Sequence, residues 1–372
     1  LLLILSLLAC GDSGPQTNTE DTEGPRRDAS TSRDVTISTF EEMGPDVSYE
    51  TDSPELNEDD LPRGTDVPVI IDLGNGGEIC DEMALFLKPD SNQVANVIIA
   101  LDRSASMANT GQWWDTILVV QGLVNVLENS VNFGLSLYPD PLNPGNTCSP
   151  GNVMVEPTAG AAEIIQDSLW NFDNRPDGAT PTAGTLMASE NYYSAVYPGA
   201  INYVMLVTDG APNCNDDLIW PDCTYNEGST RCIDDERTLR QIQSLSENSI
   251  QTWVVGLPGS ETTSDLLDEM AVMGGTDVEG AHYAVANIDM LVDVLESAVG
   301  SVVPCRYEMD VELSDTDRVS LELDGEPVPR DETHNNGWDL VDDRYVELYG
   351  SACNTMRDGE LHSLVLYTLC PE

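Results

Sequence analysis

Asn96 to Met107 reads N-V-I-I-A-L-D-R-S-A-S-M, an apolar run that ends in an aspartate followed by two serines at alternating positions. A run of this length, polar only at Asn96, has the pattern of a strand buried on both faces. Asp102, Ser104 and Ser106 put three oxygen-bearing side chains on the turn just past it, where open α/β sheets bind ligands. Oxygen donors without nitrogen or sulfur suit Mg²⁺, Mn²⁺ or Ca²⁺ rather than zinc or copper. Aspartate and serine are also ordinary turn residues, so the stretch needs further ligands downstream before it reads as a site.

Working outward, Trp114 to Asn129 carries apolar residues at helical spacing, Val131 to Tyr138 is a second strand, and Val153 to Val155 is at most a short one. Helices are expected at Ala161 to Trp170 and Thr182 to Tyr193, before the strand Ile201 to Thr208 that runs into Asp209-Gly210. Asp234 to Asn248 opens acidic, as a helix N-terminus favours. The strand Thr252 to Gly256, the helix Ser264 to Met273, the strand His282 to Ala286 and the helix Ile288 to Val302 complete the series. Strands alternating with helices predict an α/β fold, a doubly wound and mostly parallel sheet. After Cys305 the pattern changes. Glu308 to Glu312, Val319 to Leu323, Arg344 to Leu348 and Ser363 to Tyr367 are of strand length, with turn pairs at Asp324-Gly325, Asn336-Gly337 and Asp358-Gly359. We therefore assign 67–304 to the α/β domain with an N-terminal extension and 305–372 to a small disulfide-stapled all-β unit.

The formal charge of −51, with Lys88 the only lysine, repels phosphate backbones and anionic membrane surfaces, so no nucleic-acid partner is expected. Leu1 to Ala9 is apolar apart from Ser6. It falls short of the ~20 residues a membrane-spanning helix needs but fits the apolar region of a secretory signal. Leu7 to Cys10 resembles a bacterial lipobox, which makes Cys10 the lipidation site and 1–10 the signal segment. Residues 11–66 are rich in Asp, Glu, Ser, Thr, Pro and Gly, too poor in apolar surface to order, and read as an acidic tether. The expectation is an exported chain, lipid-anchored in a bacterial cell envelope at the outer membrane or cell surface, touching the membrane through its anchor only. Setting Cys10 aside leaves eight of the nine cysteines: Cys80, Cys148, Cys214, Cys223, Cys232, Cys305, Cys353 and Cys370. An even number in an exported chain reads as disulfides. Three of them border or lie in an insertion, Ala211 to Ile233, without the paired C-x-x-C spacing of a zinc site.

Two further oxygen donors fall at suitable places. Thr180 lies in G-A-T-P-T before a helix, and Asp209 follows the strand in V-T-D-G. With Asp102, Ser104 and Ser106 they resemble the metal-ion-dependent adhesion site of von Willebrand factor A domains: D-x-S-x-S, then a threonine, then the aspartate of T-D-G. The resemblance spans 94–302. It implies a cation at the upper edge of the sheet, Mg²⁺ with Mn²⁺ or Ca²⁺ as substitutes. Ser104 and Ser106 are implied as direct ligands, Asp102 and Asp209 as ligands direct or through water, and Thr180 as switching between these modes. A protein partner offering a carboxylate then completes the coordination shell. Thr182 is the runner-up to Thr180, its place at a helix start suiting an N-cap. The resemblance also implies a Cys80–Cys305 bridge joining the domain ends, with Cys353–Cys370, Cys223–Cys232 and Cys148–Cys214 taken as the remaining pairs. The insertion beside Asp209 and the loop of Cys148 could form a cap over the site.

Catalytic motifs are missing: no G-x-S-x-G, no H-E-x-x-H and no phosphate loop. His282 reads as a strand residue, His334 sits in a polar loop and His362 precedes a β run. Trp113 and Trp114 are expected to pack at a helix start and Trp338 in the core of the β unit. No enzyme is expected. The sequence points to an envelope lipoprotein whose α/β domain binds a divalent cation and, through it, an acidic group of a protein partner. A docking subunit of an envelope complex, binding without metal, is the alternative.

Overall fold

The computed structural model describes residues 84–109, 111–215, 232–311, 313 and 318–368. Cys10, Cys80, Cys223 and Cys370, together with the expected signal and tether, lie outside the described residues. In chain order the strands are β1 (Ala84–Phe86), β2 (Lys88–Pro89), β3 (Asn96–Asp102), β4 (Asn132–Tyr138), β5 (Val153–Thr158), β6 (Asn202–Thr208), β7 (Ile250–Gly256) and β8 (Tyr283–Ala284). There follow β9 (Arg306–Glu308), β10 (Val319–Leu323), β11 (Glu326–Val328), β12 (Gly337–Leu340), β13 (Tyr345–Tyr349) and β14 (Leu364–Thr368). The helices are α1 (Ala105–Asn109), α2 (Gln112–Leu127), α3 (Ala162–Trp170), α4 (Thr182–Val196), α5 (Asp235–Glu247), α6 (Ser264–Gly274), α7 (Ile288–Gly300) and α8 (Ser351–Met356).

Strand β3 is buried at all seven positions because it lies inside a six-stranded sheet with helices on both faces. The order is β5-β4-β3-β6-β7-β8, parallel except for β5 at one edge. Alternate side chains go to opposite faces. Val97, Ile99, Leu101, Met205 and Val207 share a core with Ile117 and Val124 of α2, Ile165 of α3 and Leu295 of α7. Ile98, Ala100, Val204 and Leu206 join Leu186 of α4, Ile242 of α5 and Met270 of α6. Each such side chain contributes ~1.5–3 kcal/mol through burial, which is why an uninterrupted apolar strand can exist only here. The expected doubly wound sheet is thus the fold. Strand order reverses between β3 and β6, and the crevice at that switch point opens beyond Asp102 and Thr208.

The remaining strands form two four-stranded sheets, β1-β14-β10-β11 and β12-β13-β9-β2. Their buried residues, among them Leu321, Trp338, Val346 and Leu366, are continuous with the α7 side of the α/β core. The β10–β11 hairpin turns on Asp324 and Gly325 with φ of 54° and 78°, as the Asp-Gly pair foretells. Other expectations need correcting. Residues 84–89 are not an extension of the α/β domain: β1 pairs with β14 and β2 with β9, so the α/β domain is inserted into the β unit. The ingoing and outgoing chains lie side by side, with Asp90 N donating to Arg306 O at 2.9 Å and an Arg306–Asp90 ion pair at 3.3 Å. The strand expected at Glu308 to Glu312 is Arg306–Glu308, and that at His282 to Ala286 shrinks to Tyr283–Ala284.

The Cys148–Cys214 bridge forms as expected, with Cα atoms 5.5 Å apart. Cys305, however, pairs with Cys353, Cα atoms 5.3 Å apart, which overturns both Cys80–Cys305 and Cys353–Cys370. Strand β13 leads into α8, which carries Cys353, and pairs with β9, which follows Cys305; the two cysteines therefore meet. Cys232 is also disulfide-bonded. Such bridges belong to an oxidising compartment outside the cytoplasm. Among the described residues no helix is long and apolar enough to cross a membrane.

Candidate metal centre

Parallel pairing sets Asp102 opposite Tyr138 on one side, and Leu101 opposite Val207 on the other. Asp102 and Asp209 therefore end neighbouring strands on the same edge of the sheet. Asp102 is fully buried; its Oδ1 accepts from Ser104 N at 2.7 Å and its Oδ2 from Thr208 Oγ1 at 2.6 Å. Ser106 Oγ donates to Asp209 Oδ1 at 2.8 Å, which leaves Ser104 Oγ to donate to Ser106 Oγ at 2.9 Å. Four of the five sequence-predicted ligands thus form one connected run of oxygens.

The fifth, Thr180, arrives on the loop before α4. Asp177 N donates to Arg103 O and Ala105 N to Gly178 O, at 2.8 and 3.1 Å, laying that loop along the start of α1. Gly178 has φ of +86°, and a side chain there would press on Pro139 and the Thr147 carbonyl at 2.9 Å. Asn213 fixes Thr180 from the other side: its Oδ1 accepts from Thr180 N at 2.7 Å and its N donates to Thr180 O at 2.9 Å. Thr180 is buried as a residue, and its hydroxyl makes no hydrogen bond among the described residues. Thr182 does not cap α4; it is the first helical residue, and its hydroxyl points back to Thr180 O at 3.5 Å.

Two carboxylates converge here, and among the described residues no basic group forms an ion pair with either. Arg103 turns away, donating to Pro139 O at 2.7 Å and to Arg175 O at 2.7 and 3.1 Å. Burial, and then the Asp209 charge, push the Asp102 carboxyl up to about 7; burial likewise raises Asp209. Buried negative charge with no ion pair among the described residues, bordered by three hydroxyls, is a donor set that fits a hard divalent cation. Among the described residues no group of three His, Cys, Asp or Glu could hold a metal, so a cation here relies on hydroxyl oxygens. A groove of about 390 Å³, lined by Arg103, Pro139, Asp140, Arg175 and Asp177 among others, runs beside the centre.

Sequence reasoning passed over Thr208, Asn213 and Tyr138. Only Thr208 had a local signal, as the threonine of V-T-D-G; Asn213 reaches Thr180 through a loop held by Cys214. The insertion residues 216–231, expected as a possible cap, lie outside the described residues. Of the tryptophans, Trp113 and Trp338 are buried as expected, whereas Trp114 is 41% exposed, 5.7 Å from Trp170 with Arg175 over its ring. His282 Nδ1 lies 2.5 Å from Asp268 Oδ1, and both His282 and Ser260 border Gly256. Ser260 Oγ spends its proton on Leu257 O at 2.7 Å, so these three residues pack a strand end.

Fold and site together define a doubly wound α/β domain with an oxygen-donor centre at its switch point, inserted into a β unit. No family model and no curated protein matches the sequence. Solved structures do. The pilus adhesin SpaC from Lactobacillus rhamnosus GG, in an open conformation, is similar over 75% of this chain and 39% of its own, at 14% identity and a TM-score of 0.45. This chain thus spans well under half of that adhesin's length. The manganese-loaded TRAP protein of Plasmodium vivax is similar over 78% of this chain and 100% of its own, at 13% identity and a TM-score of 0.40. Proximal thread matrix protein 1 from the mussel byssus, with a zinc-occupied MIDAS motif, is similar over 59% and 50%, at 17% identity and a TM-score of 0.39.

Proposed function

We propose that this chain binds a divalent cation through Asp102, Ser104, Ser106, Thr180 and Asp209 and uses it to hold an acidic group of a protein partner. The observation that supports it is the pair of buried carboxylates, Asp102 and Asp209, with three hydroxyl donors and, among the described residues, no basic side chain paired with either. Both Asp102 oxygens already accept hydrogen bonds, so much of its charge is spent inside the chain. A cation held largely by neutral hydroxyls stays electrophilic toward an external carboxylate. Mg²⁺ is the proposed ion, with Mn²⁺ or Ca²⁺ as substitutes. When bound, it supplies an oxygen-seeking Lewis acid; the chain's residues supply its geometry, and the adjoining groove supplies contact area. The role is binding rather than catalysis, at the outside of a bacterial envelope, with lipid-modified Cys10 as the anchor. A docking subunit that binds without metal is the competing view.

A pull-down from envelope extract, with Mg²⁺ or EDTA, separates the two. Capture by the wild type in Mg²⁺, lost in EDTA and lost in Thr180→Ala, supports the proposal. Capture indifferent to EDTA and to Thr180→Ala refutes it.

A further inference from the structure

Tyr138 ends β4 directly across from Asp102. It is fully buried, and its phenol oxygen has no hydrogen-bond partner among the described residues. A buried polar atom left unpaired is destabilising, so a tyrosine here is less favourable than the phenylalanine that would fill the same space. Tyr193, also fully buried under this sheet, shows the ordinary solution. Its hydroxyl accepts from Ile98 N at 2.9 Å and faces the Tyr203 and Asn96 carbonyls at 2.7 and 3.1 Å.

The groups around the Tyr138 hydroxyl are those of the metal centre: Asp102, Thr208, Thr182 and Asp209. Thr208 and Thr182 approach it closely enough to favour its ionised form, yet neither completes a well-formed hydrogen bond to it. Thr208 Oγ1 donates to Asp102 Oδ2, and Thr182 Oγ1 points at Thr180 O. The carboxylates can only accept when ionised. Among the described residues the phenol oxygen thus has no well-formed hydrogen bond, which leaves it open to a donor from outside the chain. Water bound to a divalent cation is such a donor, because the cation raises its acidity.

We infer that Tyr138 is a positioning residue of the metal centre, its phenol oxygen accepting a hydrogen bond from a water of the bound cation beside Asp102. The inference rests on the cation-binding proposal above. Tyr138 leaves the direct ligands to others and fixes the orientation of the outer shell. In the cation-free chain it stands unsatisfied, and cation binding satisfies it.

The test is Tyr138→Phe in the full chain, with Mn²⁺ as the probe. Mn²⁺ affinity is read by electron paramagnetic resonance, and fold integrity by the melting temperature in EDTA. The expected result is a melting temperature in EDTA equal to or above that of wild type, with Mn²⁺ affinity lower by ~10-fold or more, as for other outer-shell partners. Tyr307→Phe, which removes another unpaired buried phenol from β9, is expected to bind Mn²⁺ as wild type does. Wild-type affinity in Tyr138→Phe overturns the inference. So does an affinity loss that Tyr307→Phe shares, which marks a general packing defect. If the wild type itself binds no Mn²⁺, the cation-binding proposal falls together with this inference. If Thr180→Ala weakens Mn²⁺ binding while Tyr138→Phe does not, this inference alone fails.

Discussion

Replacing Asp102 by asparagine should make the cation-free protein more stable while abolishing its response to metal. Asp102 is fully buried and titrates at about 7 instead of 3.8, through burial first and the Asp209 charge second. At ~1.4 kcal/mol per pH unit, that rise amounts to about 4 kcal/mol carried by the folded state when the carboxyl ionises. The folded-state value lies above the unfolded one. The penalty is therefore absent below about pH 4 and complete above about pH 7, and cation-free stability falls as pH rises through that window. Asparagine returns only part of this. It can still accept from Ser104 N, but Thr208 Oγ1 must turn to Gly210 O, 3.2 Å away. The charge-assisted bond given up is worth ~1.5–3 kcal/mol. The net gain should be about 1–3 kcal/mol in EDTA at pH 8 and should vanish near pH 4. Urea denaturation at the two pH values measures it. In excess Mn²⁺ the order should reverse, since binding energy stabilises the wild type alone. A variant less stable than wild type in EDTA at pH 8 would show that no electrostatic strain is stored at the centre.

Two more outcomes follow from features around the site. Cys214→Ser opens a bridge spanning 66 residues, which should cost about 4 kcal/mol in denaturation experiments. It should also weaken Mn²⁺ binding, because Asn213 then loses its fixed hold on Thr180; an unchanged Mn²⁺ affinity would disprove that link. His362 lies between Asp358 and Asp324 at 2.8 Å each; burial opposes its charge, yet those hydrogen bonds win and its pKa is raised. Its contribution is complete below about pH 6.5 and fades as pH rises through the raised value. His362→Gln should flatten the fall in stability above pH 6.5, and an unaltered slope in urea melts would refute the clamp.

What could be read from sequence was local. Val97 to Leu101 and Val204 to Val207 announce buried strands because no polar residue interrupts them, and buried parallel strands leave their ends at a predictable edge. That is why Asp102, Ser104, Ser106 and Asp209 were found together. Thr180 followed from a resemblance in motif. The misreading of the domain boundary involves long-range pairing. Strands β1 and β2, three and two residues long, are too short to show periodicity, and their partners β14 and β9 lie more than 200 residues away. Cys353 was paired wrongly because α8 is a six-residue helix in a stretch that otherwise reads as β. Tyr138 is only the end of a strand in the sequence, and its unpaired oxygen, invisible there, distinguishes it.

Tension between the Asp102–Asp209 edge of the sheet and the segment preceding Ala84 has its route fixed by topology. Both connections leave the α/β domain together, at Asp90 and Arg306. A pull on the cation site therefore reaches β2 and β9 at once. These strands are antiparallel neighbours tugged in the same direction, so they move as a pair and do not shear apart. The Cys305–Cys353 bridge hands part of the load to α8, and β9 passes more to β13 through their shared hydrogen bonds. The six-stranded sheet carries the site at its edge and hands the pull to this frame at Asp90 and Arg306.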